Sequence, residues 1–279
     1  MKNTTQFQKW DAHHHLWSYQ PEWMDWIPSP RIRRDFHLPE WETTLNQAGI
    51  DRSIVVQVQQ TWQETLDLQA MADQSERIAG VVGWIDLMDE HMPKYWEVLP
   101  DHHRVVGFRH ILQAESAEWI THPDVLRGIR TLGQHEFAYD VLITQSQLRS
   151  AVTLAGSCEN TRLIVDHLAK PRFGQVDRSV WEKPMKELAQ MPHVAIKLSG
   201  FTTECPDFHW QSVDFVPYFD FLLQHFGPNR IMLGSDWPVC LMAASYEEQK
   251  GIVDQWMEPL SWVEKESLGC LTAKKWYGL

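Results

Sequence analysis

W-D-A-H-H-H-L-W, residues 10–17, sets three imidazoles at the end of a short apolar run. Read as a β-strand, its side chains alternate between faces, so His13 and His15 share one side and His14 points to the other. Two imidazoles on one face have little structural use, which makes the position of this strand in the fold the first question. Seven more short runs rich in β-branched residues follow, at 53–59, 78–85, 104–110, 137–143, 162–167, 194–199 and 230–236. Segments with helical spacing lie between them. One begins near Pro39 and stops at Gly49, with proline first and glycine last. Others cover 61–72, 125–133, 145–155, 179–190 and 215–226, and a helical tail runs from Ser245 to Trp276.

Strand alternating with helix implies parallel strands joined by crossovers. Eight such units close into a (β/α)8 TIM barrel, with room for distortion. The competing open doubly wound sheet is disfavoured, because neither G-x-G-x-x-G nor G-x-x-x-x-G-K-[ST] occurs. There is no repeat, linker or low-complexity segment, so residues 1–279 read as a single domain. The irregular stretch Ser18–Arg34 reads as a long loop after the first strand, on the face where barrel active sites sit.

The formal charge of −12 argues against a nucleic-acid binder, which needs a basic surface. No apolar run is long enough to span a bilayer. The stretch M-K-N-T-T-Q-F-Q-K-W lacks the apolar core of a signal peptide. Cys158, Cys205, Cys240 and Cys270 lie far apart, as expected of reduced thiols in a cytoplasmic protein. Fifteen tryptophans exceed what packing usually asks for, and an aromatic pocket rim would suit a sugar-like ligand.

In a barrel the catalytic side chains come from the C-terminal strand ends. The polar residues there are His13, His15, Gln57, Gln59, Arg109, His110, Asp140, Asp166, His167, Lys197, Ser199, Ser235 and Asp236. Alternation places His167 with Val165, Arg109 with Gly107 and Val105, Lys197 with Ala195, and Asp236 with Gly234 and Met232. Asp166 then becomes an outward neighbour. Each residue has a plain reading too. Asp236 can cap the turn-rich G-S-D-W-P, and Lys197 can pair with Asp140 or Asp166. Together, so many ionisable groups at one end of different strands are hard to explain as packing.

The motifs D-A-H-H-H-L-W (11–17), V-V-G-F-R-H (105–110), I-V-D-H-L-A-K-P (164–171), I-K-L-S-G (196–200) and I-M-L-G-S-D-W-P-V (231–239) resemble the amidohydrolase superfamily. The resemblance is to its amidohydrolase-2 branch, and within it to the sugar-lactone (L-fuconolactone, L-rhamnonolactone) and 2-pyrone-4,6-dicarboxylate lactonases. It covers nearly the whole chain. It implies that Asp236 takes a proton from the attacking water and that His13, His15 and His167 stabilise the carbonyl oxygen. It also implies that the same four residues hold a metal, if one is bound. Arg109 matches a substrate-holding arginine. Lys197, Asp140, Trp17 and Trp237 complete the expected substrate contacts. The bridging lysine of binuclear relatives has no counterpart on the fourth strand, and Tyr139 and Asp140 stand where many carry a fifth-strand histidine. The expected cofactor is therefore none, or one divalent metal with zinc foremost. The implied reaction is hydrolysis of a small lactone such as L-fuconolactone. Its alternatives are a zinc-dependent decarboxylase of the same superfamily and a non-catalytic sugar-acid binding barrel. The expected partner is a small-molecule lactone or sugar acid, with no nucleic acid and no membrane, and a homodimer is left open.

Overall fold

The computed structural model describes residues 7–279; the reading of residues 1–6 as free of a signal peptide lies outside them. Eight parallel strands run in sequence order: β1 (Trp10–His14), β2 (Arg52–Val56), β3 (Ile78–Gly83), β4 (Val105–His110), β5 (Ala138–Val141), β6 (Leu163–Val165), β7 (Val194–Leu198) and β8 (Ile231–Leu233). The ring closes just past the strand ends, where the Asp236 N–H donates to the His13 carbonyl at 2.8 Å and His15 N–H to the Trp237 carbonyl at 2.7 Å. This is the expected (β/α)8 barrel.

The helices are α1 (Leu38–Ala48), α2 (Trp62–Ala72), α3 (Pro93–Trp96), α4 (Ala117–Ile120), α5 (Pro123–Gln134), α6 (Leu148–Ser157), α7 (Ser179–Ala189), α8 (Ser212–Phe226), α9 (Tyr246–Met257), α10 (Trp262–Glu266) and α11 (Thr272–Tyr277). β3 is followed only by the single-turn α3, which the spacing did not announce. The tail expected as one helix is broken into α9, α10 and α11, the last two joined by a π-helical stretch at Ser267–Leu271. No helix among the described residues is long and apolar enough to cross a membrane.

Two apolar clusters separate the inside of the barrel from the outside. Trp10, Ala12, Ile54, Val56, Ala79, Val82, Ala138, Ile164, Ala195 and Met232 pack within it, with Val106 against them. Cys270, Ala273, Trp276 and Tyr277 join the same cluster, so α11 closes the lower end. The larger cluster lies between strands and helices and holds Val55, Val105, Phe108, Val165, Ile196 and Leu198. Two facing assignments therefore change. Val105 and Val165 point out to the helices, while Val106 and Ile164 point in. The register shift in the β3–β4 ladder explains the first change: Val81 pairs with Val105 but Val82 with Gly107, which leaves Val106 as the extra residue.

Candidate active site

The first strand delivers its imidazoles through a break in its alternation. Trp10 and Ala12 face the interior, and the β1–β2 register shifts between Asp11 and His14. His13 and His15 then also face inward. His14 turns outward and stacks on Trp41, ring centroids 4.0 Å apart. Asp11 holds the bend: its carboxylate accepts the His13 and Ser235 N–H groups, each at 3.0 Å, and the Tyr246 hydroxyl at 3.0 Å. Burial pushes the Asp11 carboxyl up to about 6 against those hydrogen bonds.

His167 arrives differently. β6 ends at Val165, and residues His167 to Lys170 all have positive φ, between 48° and 58°. This left-handed run, costly for residues with a Cβ, swings the imidazole over the barrel mouth. Asp166, expected to point outward, instead points inward with Ile164. Its carboxylate meets Arg109 Nη1 at 3.2 Å, Lys197 Nζ at 3.2 Å and His13 Nδ1 at 3.4 Å. Burial would raise this carboxyl, but Lys197 and His13 override it and hold it well below the usual range.

The ring nitrogens converge on Asp236, which also sits at positive φ, 58°. Asp236 Oδ1 lies 3.2 Å from His15 Nε2, 3.7 Å from His13 Nε2 and 3.9 Å from His167 Nε2. Its side chain faces this cluster, not the following loop, so capping is not its use. Burial raises the carboxyl, but the imidazoles of His167, His15 and His13 outweigh it and keep Asp236 below the usual range. Burial lowers His167 to about 4 and His13 well below its ordinary value, the latter helped by the Lys197 charge. Two outer partners orient the rings. His15 Nδ1–H donates to the Val56 carbonyl at 2.8 Å, and His167 Nδ1 pairs with Ser199 Oγ at 2.9 Å. His15 Nε2 thus points at the cluster, 3.2 Å from Asp236 Oδ1. With His13, His15 and Asp236 offering ligand atoms within 4.8 Å of one another, the donor set fits one divalent cation.

Arg109 lies at the inner edge of this cluster. It donates to His13 Nε2 at 3.3 Å, to Asp166, and to the Gln57 amide oxygen at 2.9 Å. Gln57, a polar strand-end residue with no evident role in the sequence, braces the guanidinium. Lys197 and Asp140 pair with each other one layer deeper, both fully buried. Lys197 also reaches Asp166 and His13, and the Tyr277 phenol donates to Asp140 from below. Trp17 and Trp237 are buried as well. The Trp17 indole donates to the Arg34 carbonyl at 2.8 Å, and Trp237 packs between Phe36 and Trp41. The exposed aromatic rings of the 18–34 loop are Trp23 and Trp26, at 65% and 46%.

A barrel whose first, sixth and eighth strands bring two histidines, a third histidine and an aspartate to one point has the layout of an amidohydrolase. The amidohydrolase family model matches residues 10–279, and the chain belongs to that family. An L-fucono-1,5-lactonase of Burkholderia multivorans is 34% identical over 96% of this chain and 95% of its own length. A crystal structure of an amidohydrolase from Burkholderia multivorans with bound zinc superposes with a TM-score of 0.93 at 33% identity, covering 98% of this chain and 99% of that one. A probable 2-pyrone-4,6-dicarboxylic acid hydrolase of Acinetobacter baumannii, at 13% identity and a TM-score of 0.78 over 98% of this chain and all of that one, shares the fold.

Proposed function

We propose that this protein hydrolyses a sugar lactone of the L-fucono-1,5-lactone type, with Asp236 as general base. The observation that carries this reading is the meeting of one carboxylate with three imidazoles at the barrel mouth. The relative of 34% identity, matched along nearly its whole length, supports the substrate class.

Asp236, ionised at neutral pH, accepts a proton from water as the water oxygen bonds to the lactone carbonyl carbon. Imidazole N–H groups steady the oxyanion; one such donor is worth about 3 kcal/mol. The ring C–O bond then breaks. The proton held by Asp236 passes to the leaving alkoxide, and an open hydroxy acid results. Arg109, braced by Gln57 and Asp166, is placed to hold the substrate's carbonyl or hydroxyl oxygens. Where a divalent ion is bound, His13, His15, Asp236 and His167 are the residues to hold it, and it would supply carbonyl polarisation and a more acidic water.

The test is acid release from L-fucono-1,5-lactone by the wild-type protein and by D236N. Wild-type turnover should fall by roughly 10²–10⁴-fold in the variant, with its thermal transition retained. Unchanged turnover in folded D236N would remove the proposed base, and no wild-type turnover would remove the lactone.

A further inference from the structure

Lys170 stands next to last in I-V-D-H-L-A-K-P and has no part in the reaction described above. It ends the left-handed run after β6, at φ 48°, and its N–H donates to the His167 carbonyl at 2.8 Å. The turn that swings the His167 imidazole over the barrel mouth therefore brings the Lys170 ammonium to the same edge, where its charge helps to lower His167.

Glu204 reaches this edge from β7. Gly200 packs against the site so closely that a Cβ there would meet His167 Nδ1 at 2.6 Å and Asp236 Oδ2 at 3.0 Å. The single turn Thr202–Glu204 follows at once. Two hydroxyls pin it: Thr203 donates to the Gly200 carbonyl and Thr202 to the Gln249 amide oxygen, each at 2.9 Å. Lys170 Nζ lies 3.0 Å from the Glu204 carboxylate, and each side chain is 22% exposed.

An ion pair open to water adds little to stability, and this one joins two turns that both start at the site. Its chemistry matches a polyol. An ammonium only donates and a carboxylate only accepts, whereas a hydroxyl does both. Adjacent ring hydroxyls can therefore take a hydrogen bond from Lys170 and give one to Glu204. The three cations around the site each carry their own carboxylate: Arg109 with Asp166, Lys197 with Asp140 and Asp166, and Lys170 with Glu204. A substrate bearing carboxylates finds no unpaired charge among them.

We infer that Lys170 and Glu204 are specificity-determining residues that bind two neighbouring hydroxyls of the substrate ring, so that the site selects a neutral polyhydroxy lactone over a bare or carboxylated one. This deepens the sugar-lactone reading and rests on it for the identity of the ring.

The experiment compares kcat/KM for L-fucono-1,5-lactone and for δ-valerolactone, which has the same ring without hydroxyls. K170M combined with E204Q removes both charges together, so neither is left unpaired. The loss in the double variant should be about 10-fold or more greater for the L-fucono lactone than for δ-valerolactone, since hydrogen bonds to charged groups are lost on one substrate only. K170M and E204Q alone should show the same selective loss, with thermal transitions near that of the wild type. An equal loss on both lactones would reduce the pair to a link between loops, and no loss on either would place it outside the substrate's reach; both overturn the inference. Isothermal titration with L-fucono-1,5-lactam, an amide with the same ring hydroxyls, separates this failure from that of the lactonase reading. Lactam binding weakened about 10-fold or more in the double variant supports the pair even if the wild type opens no lactone. Lactone turnover and lactam binding both equal to wild type in the double variant would reject the pair and leave the lactonase reading standing. A wild type that neither opens the lactone nor binds the lactam would overturn both.

Discussion

The phenol of Tyr277 donates to both carboxylate oxygens of Asp140, at 2.8 and 2.9 Å, from the far end of the chain and the opposite end of the barrel. Asp140 in turn pairs with Lys197, and Lys197 touches His13. A column of polar groups thus runs through an otherwise apolar interior, from α11 up to the imidazoles. Its members are fully buried or nearly so, and such columns hold only while each partner is present.

Y277F removes the lowest donor of that column without changing ring volume. It should destabilise the protein by about 1–3 kcal/mol, the usual cost of a buried acceptor left short. Urea denaturation measures this. A midpoint equal to the wild type would show that Asp140 is satisfied by Lys197 alone.

Gly200 is the tightest point of the site. Its φ is +60°, and a Cβ placed there would lie 2.6 Å from His167 Nδ1 and 3.0 Å from Asp236 Oδ2. G200A therefore meets both a conformational cost, about 1 kcal/mol, and a clash with two residues of the cluster. Lactone turnover should fall by about 10²-fold, since a misplacement near 1 Å is enough for that. Normal turnover in G200A would mean that His167 can move without loss, which would overturn its proposed role at the reacting oxygen.

Ser199 is the partner of His167 Nδ1 at 2.9 Å. S199A should cost about 10-fold or more in kcat, because loss of such an orienting partner loosens the ring, while Tm changes by only a few degrees. A kcat equal to wild type would show that the left-handed backbone alone sets the ring.

The eight strands and the polar strand ends were legible because period-2 runs of β-branched residues survive in any packing environment. The inward pair His13 and His15 was legible for the same reason. The pleat stops being informative where strands end. Asp166 faces inward against expectation while His167 still reaches the site, because the backbone has positive φ from His167 to Lys170, and nothing in I-V-D-H-L-A-K-P demands that turn. Tyr277 contacts a residue 137 positions away, a pairing no local pattern encodes. Trp17 and Trp237 stand beside the key motifs, but adjacency does not reveal which way a ring faces. Both fill the aromatic layer with Phe36 and Trp41 behind the site.

His14 gives the pH dependence of stability a specific source. Its ring is fully buried against Trp41, and neither nitrogen finds a hydrogen-bond partner among the described residues. Burial, with the neighbouring His15, holds it well below its ordinary value. His13, His110 and His167 are lowered by burial as well, His167 to about 4. An unfolded chain protonates these rings near pH 6.5, and the folded protein does not. The unfolded state then binds more protons, so stability is full above that pH and falls as pH drops below it. For His167 alone the loss between pH 7.5 and 5 is about 2 kcal/mol. H14F keeps the stacked ring and deletes one of the four titrations. Its Tm at pH 7.5 should match or exceed the wild type, and its decline toward pH 5 should be shallower. Parallel Tm curves for the two proteins across that range would show that His14 protonates as readily folded as unfolded, and would reject the assignment.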